Sequence, residues 1–298
     1  MEIVIAGGGH SVGDVDGLPI AIDRHESPAY SWLIARRAPH AGLAGVVDGY
    51  CGYAERSFRP LRRRQVATGG VTLIVSFGDP IAVQLSTASS ANRVTSFVAG
   101  LHDAPTLTEH AGEGHGIEAY LTPLGARRLL GLPMGELTRQ VVELEDLIGA
   151  EAGELAERLY EAPDWRARFA MLERAIAARV LDAPPIAPEL EWAWRRLMET
   201  GGAAPVGALA QELGRSRRHL AATFREQIGM PPKALARLLR FERAVDRLRG
   251  GADLAELALE CGYYDQAHFN RDFRQFAGAT PTEYRRVTSV QDISAMAA

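Results

Sequence analysis

Long apolar runs are missing from this chain. No stretch approaches the roughly 18 uninterrupted apolar residues that cross a bilayer, and no basic N-terminal segment leads into an apolar core. Neither membrane spanning nor secretion is expected, and the cytoplasm is the expected location. Cysteine is nearly absent: Cys51 and Cys261 stand far apart with no Cys/His spacing around them. A disulfide framework and a zinc site are both excluded on that pattern, and no metal or cofactor is expected. Lysine is scarcer still, with Lys233 the one lysine among 33 basic residues. Arginine abundance therefore reflects coding bias and is no evidence in itself for phosphate contacts. A strong excess of one charge is lacking too, since the net charge is −4. Divided along the chain it is uneven: residues 188–286 hold 16 basic against 13 acidic residues, and residues 1–187 hold 17 against 23. The local field, not the total, governs binding to a polyanion.

What the chain does have is length and apolar content for two cores, 298 residues at 47% hydrophobic. The first 40 residues mix Gly, Asp and Pro with a short apolar run at 3–6 and carry no clear pattern. Runs rich in β-formers follow at Leu43–Tyr53, Val71–Phe77, Ile81–Ser86, Arg93–Val98 and Ile117–Leu121, separated by turn residues. They predict a curved antiparallel sheet or small barrel. After Pro123 helical spacing takes over, at Leu124–Leu130, Glu136–Ile148, Gly153–Glu161 and Trp165–Leu181. Three prolines between 184 and 188 stop any helix and favour extended chain. The expected fold is thus multidomain α+β. A β-rich N-terminal domain with covering helices, for effector sensing or dimerisation, occupies 1–181; a Pro-rich linker covers 182–188. An all-helical DNA-binding domain follows at 189–287, with a flexible tail at 288–298.

Within the helical part, two stretches repeat one another. Leu209-Ala210, Glu212 and Gly214 match Leu257-Ala258, Glu260 and Gly262 at an offset of 48; His219, Phe224-Arg225, Gly229 and Pro232 match His268, Phe273-Arg274, Gly278 and Pro281 at 49. A short amphipathic helix, a Gly turn, a capped second helix and an inward Phe make a helix-turn-helix, and two in tandem suit neighbouring major-groove segments. A long helix from about Lys233 to Arg249 joins them, ended by Gly250-Gly251.

In the first unit Ser216 is the expected N-cap. With Leu220 and Phe224 turned inward, Arg217, Arg218, Ala221, Ala222 and Arg225 occupy the outer face. Arg218 suits a bidentate grip on guanine, while Arg217 and Arg225 suit phosphates. In the second unit Asp265 caps, Phe269, Phe273 and Phe276 face inward, and Gln266, Ala267, Asn270 and Arg271 face out. Gln and Asn match adenine and Arg matches guanine. A single polar residue on a helix is most often merely solvated, but this placement occurs twice, each time behind a cap.

The run from Leu257 to Arg274, with Gly278-Ala279-Thr280-Pro281-Thr282-Glu283-Tyr284-Arg285, resembles the signature of the AraC/XylS family of bacterial transcription regulators. The resemblance covers about residues 190–286. It implies two helix-turn-helix units joined by a long helix, with Arg218, Ala221 and Ala222 in the first and Gln266, Ala267, Asn270 and Arg271 in the second facing bases. Ala221 and Ala222 depart from the family's usual larger polar residues, which leaves base reading by the first helix resting on Arg218 and on alanine contact with thymine methyls. Residues 43–181 resemble the sensor or dimerisation regions of the same family. Promoter DNA, RNA polymerase, a small-molecule effector and a second copy of the chain are the partners this implies. A non-enzymatic regulator is expected.

Other motifs are weaker. Gly7-Gly8-Gly9-His10-Ser11-Val12-Gly13 follows an apolar run as a dinucleotide loop does, but no amphipathic helix comes after it, so a flexible turn is expected. His110 and His115 lie in what reads as a surface loop, without metal-ligand spacing. Arg59, Arg62, Arg63 and Arg64 read as a solvated turn, with an acidic effector or flanking DNA as the sharper alternative. Tyr50, Tyr53, Trp32 and Phe77 are candidates for an effector pocket, though aromatics in strands are more often core. Trp192 and Trp194 are expected to pack with the first unit. An N-terminal enzyme tethered to the helical module is the competing class; it requires convergent ionisable groups that the sequence does not reveal.

Overall fold

A computed structural model describes residues 2–3, 10–12, 18–85, 90–250 and 252–289. Gly7–Gly9 and Gly13 of the Gly-rich motif, and residues 290–298 of the tail, lie outside the described residues. The strands in order are β1 (Glu2–Ile3), β2 (His10–Val12), β3 (Ile20–Glu26), β4 (Tyr30–Arg37), β5 (Val47–Ser57), β6 (Leu61–Gln65), β7 (Val71–Ser76), β8 (Ile81–Gln84), β9 (Asn92–Val94), β10 (Phe97–Ala99), β11 (Thr106–His110), β12 (Glu113–Leu121) and β13 (Val141–Glu143). They form two sheets, β13-β10-β7-β12-β5-β4-β3-β2 and β1-β6-β11-β8-β9.

Period-two alternation decides which side of the large sheet each residue serves. One cross-strand row reads Ala35, Gly52, Ile117 and Val75; the next reads Arg36, Cys51, Glu118, Ile74 and Phe97. The first row faces the helices α1 (Pro123–Leu130), α2 (Leu144–Ile148), α3 (Glu151–Glu161) and α4 (Trp165–Leu181). Val75, Ile117, Ala119, Leu121, Phe169, Leu172 and Ile176 are buried there in one apolar cluster. Gly52 is required for this contact, because a Cβ would sit 2.2 Å from the Trp165 ring. The second row faces the small sheet, with Ile74, Val83, Val94, Phe97 and Val141 clustered between the sheets.

The expected helix over Glu136–Ile148 is not one element. The chain makes a helical turn at Met134–Leu137, then β13, then α2. Arg139 takes φ of 55°, which ends any helix, and Val141 and Val142 pair with Ala99 and Val98 of β10. The weakly patterned first 40 residues supply β3 and β4, which extend the large sheet beyond β5.

Ala183–Ala187 is irregular, and Pro188 opens the helical region as the first residue of α5 (Pro188–Glu199). Then come α6 (Val206–Glu212), α7 (Arg217–Gln227), α8 (Pro232–Arg249), α9 (Leu254–Glu260), α10 (Gln266–Ala277) and α11 (Pro281–Ser289). With 18 residues, α8 is about 27 Å long. Phe241 on α8 meets Phe273 and Phe276 of α10 at ring separations of 5.0 and 5.3 Å. Trp194 is buried, and Trp192 is packed against the same apolar cluster. The apolar cluster is continuous from Leu73 in the large sheet to Phe224 and Phe273.

Candidate nucleic-acid interface

Each recognition helix begins on the cap read from the sequence. Ser216 Oγ accepts from the His219 amide at 3.1 Å, and Asp265 Oδ1 accepts from the His268 amide at 2.6 Å. Each satisfies an otherwise orphaned backbone donor and fixes where its helix starts. Leu220 and Phe224 are buried under α7; Phe269, Phe273 and Phe276 are buried under α10. With those inward positions fixed, 3.6-residue geometry sets the outer faces. Arg218, Ala222 and Arg225 are exposed on α7 with Ala221 half-buried, and Gln266, Ala267 and Arg271 are exposed on α10 with Asn270 half-buried.

Arg217 is exposed too but lies back over α6, where a Cβ on Gly207 would come within 2.5 Å of its Nη2. Gln266 Nε2 donates to Asn270 Oδ1 at 3.4 Å, one turn apart, so the two amides stand on one edge of α10. The arrangement offers guanidinium forks and paired amide donors and acceptors on uncovered faces, the chemistry that reads base edges.

What fixes the pitch of α10 escaped the sequence reading. Asp272 points inward from the recognition helix, 1% exposed, and takes Arg237 Nη2 of α8 at 2.7 Å, with His268 Nε2 at 3.8 Å. Arg237 also donates to Gln275 Oε1 at 2.7 Å. The available signal was the acidic residue at an inward position of a helix otherwise lined by phenylalanine: a buried carboxylate demands a charged partner. The Tyr263 hydroxyl, buried beside this network, is pushed well up by that burial and by Asp272.

The N-terminal candidates separate. Tyr50 packs on Phe169, Trp32 stacks on His25, and Phe77 meets His115 edge-on, so the four proposed pocket aromatics do not converge. His110 and His115 belong to the β11–β12 hairpin rather than a surface loop: His110 is buried and His115 sits among Phe77, Tyr160 and Trp165. No group of three or more metal-ligating side chains exists among the described residues. Arg62–Arg64 form strand β6 rather than a solvated turn. Arg63 turns inward to donate to Glu55 Oε1 at 2.5 Å and to the Tyr30 hydroxyl at 3.0 Å, and His110 Nε2 is 3.6 Å from Glu55. Burial would raise the Glu55 carboxyl, but Arg63 and His110 overcome it and hold it down to about 2.

Beyond this network the inner face of β5 and β12 is polar. The Tyr120 hydroxyl donates to Glu118 Oε2 at 2.6 Å, and burial pushes the Glu118 carboxyl up. Burial, with Glu118 nearby, pushes the Cys51 thiol up to about 12, the reverse of an activated nucleophile. Half-buried Tyr53, Glu55 and Glu118 thus share the face of the large sheet turned to the small sheet, where Arg63 of β6 meets Glu55.

Residues 209–287 match the family described as Helix-turn-helix domain, and residues 35–143 match the one described as Domain of unknown function (DUF6597). The F1 operon positive regulatory protein of Yersinia pestis is 36% identical over 75 residues, 25% of this chain and 25% of that protein. The chain thus matches a quarter of the length of that relative. ToxT of Vibrio cholerae is a structural neighbour at a TM-score of 0.44 and 11% identity, over 87% of this chain and 98% of that one. The C-terminal domain of AraT, a response regulator of Geobacillus stearothermophilus, is another at 0.33 and 23% identity, over 35% and 88%.

Proposed function

We infer, from a chain whose C-terminal part belongs to the AraC family of helix-turn-helix transcription regulators, that it reads two neighbouring major-groove segments of a promoter through α7 and α10. The observation that carries this reading is the pair of capped helices joined through α8, each with its buried side pinned and its polar side uncovered. Arg218 supplies guanine recognition in the first head, and Arg271 with Gln266 and Asn270 reads mixed sequence in the second. Arg217 and Arg225 meet phosphates, with Arg217 swinging off α6 to do so. Ala221, Ala222 and Ala267 allow close approach and contact with thymine methyls.

Residues 1–181 form the sensing or dimerising domain, 182–188 the linker, 189–287 the DNA-binding domain and 288–298 a tail. The polar side chains between the sheets form the effector site, and its occupancy alters how the heads meet promoter DNA and RNA polymerase. The protein acts in the cytoplasm and is not an enzyme. The test is capture of genomic DNA fragments by the purified chain at stated salt, beside the Arg218→Ala/Arg271→Ala double variant. A two-segment motif that the double variant loses supports the reading; a motif that the variant retains unchanged removes both residues from it.

A further inference from the structure

Both recognition helices are held to the N-terminal domain near their C-terminal ends, and among the elements that hold them are two loops tied to each other. At the end of the turn Met134–Leu137, Thr138 Oγ1 donates to the Gly229 carbonyl, between α7 and α8, at 2.8 Å. Gly135 of that turn lies flat on α7: a Cβ there would stand 2.8 and 2.9 Å from the carbonyl oxygens of Arg225 and Glu226. Arg127 of α1 adds a bond to Gln227 at 2.6 Å.

The next residue, Arg139, adopts the left-handed conformation that non-glycine residues avoid, with φ of 55°. From there its Nε and Nη2 each reach an oxygen of Asp103 at 2.9 Å. Asp103 stands between β10 and β11, and its backbone carbonyl accepts from Gln275 Nε2 of α10 at 3.3 Å. Two further bonds fix the same end of α10, Ala67 N to the Phe276 carbonyl and Arg64 Nη1 to the Gly278 carbonyl, both at 2.9 Å.

We propose that the paired loops 100–105 and 133–140, clasped by Arg139 and Asp103, set the orientation of one recognition helix relative to the other. Thr138, bonded just past the end of α7, and Gln275, on α10 itself, are the positioning residues. The proposal rests on the two-headed reading above and gives it a physical control point. A helix of 11 residues held at one end is about 16 Å long, so a tilt of about 10° moves its reading end by about 3 Å. That is close to the 3.4 Å step between base pairs, enough to change which spacing of half-sites both heads satisfy together. The N-terminal domain thereby selects spacing, while the outer faces select bases.

The test uses the full chain with spin labels on Ala222→Cys and Ala267→Cys, which lie on the two exposed faces; the native Cys51 and Cys261 are buried. Thr138→Val removes the hydroxyl at constant shape. Gln275→Glu keeps an acceptor for Arg237 but loses the donor to Asp103. In the double variant the distance distribution between labels should widen by about 3 Å, the displacement worked above. Thr138→Ser should restore the Thr138 contribution. Gln275→Glu alone serves if the double variant does not fold. An unchanged distribution overturns the proposal, because α8 and the bonds from Arg127, Ala67 and Arg64 would then fix the heads without the clasp. In selection from a random duplex pool, the double variant should keep the same half-motifs while accepting several spacings, and a single retained spacing also overturns it. A wild-type chain that enriches no motif counts against the DNA reading; the distance measurement still decides the clasp.

Discussion

Replacing Glu242 by Gln should make the protein more stable at pH 8 and much less so at pH 5. Glu242 lies on α8, and its Oε1 accepts from the Gly69 amide at 2.8 Å, so its carboxylate sits where the helical region meets the loop before β7. Burial there, reinforced by Asp246 and Asp48 and only partly offset by the Gly69 amide, pushes the carboxyl up from its ordinary 4.5 to about 7. Between those two values the folded chain holds a proton that the unfolded chain has released. Stability therefore falls as pH rises through this window and levels off above about 7. At about 1.4 kcal/mol per tenfold change in proton affinity, the full cost of ionising the group in place is about 3 kcal/mol. Glutamine keeps the oxygen that accepts from Gly69 and never ionises. Thermal and urea unfolding of Glu242→Gln and wild type at pH 5 and pH 8 measure the difference directly, since every other titrating group is common to both. A gain of about 1–3 kcal/mol at pH 8 that shrinks to about a quarter of that at pH 5 is expected. The same gain at both pH values, or a loss at pH 8, would refute the argument.

Arg218→Ala and Arg271→Ala should each weaken specific binding by about 1–3 kcal/mol in titrations against the captured motif. Arg225→Ala should instead weaken binding to all sequences alike and lower the salt dependence; equal losses on specific and random DNA for all three would contradict the division of roles. Asp265→Ala removes the cap of α10 and should cost about 1 kcal/mol in urea unfolding, with Asp265→Asn or Ser recovering most of it. Gly52→Ala forces a methyl into the Trp165 ring and should destabilise by about 1–3 kcal/mol, seen as a lower Tm. If Trp165 swings clear at no cost, the wild-type Tm will be retained.

The helical region was legible because its signals are local. Ser216 and Asp265 cap their own helices, Leu220 and Phe269 set the inward faces within one turn, and α4 has the bounds that its periodicity predicts. The β region was legible only where strands carry their own apolar alternation, as in β7 and β12. Strand β6, Leu-Arg-Arg-Arg-Gln, has none; it forms because β11 and β1 supply partners and because Glu55 lies where Arg63 turns inward. Likewise Val141–Glu143 follows a helical pattern by composition and becomes a strand because β10, more than 40 residues earlier, has an open edge beside it.

The amino-acid sequence by itself thus determined two capped recognition helices, their outer faces and the long helix between them, since caps, periodicity and duplication act over a few residues of contiguous chain. Only the tertiary structure decided how Asp272 and Arg237 set the pitch of α10, how Gly135 and Thr138 meet α7, and which polar groups share the space between the sheets. The Arg237–Asp272 contact joins residues 35 positions apart, and the Thr138–Gly229 contact residues 91 apart. Whether such groups meet is fixed by the packing of whole layers, which no local pattern encodes.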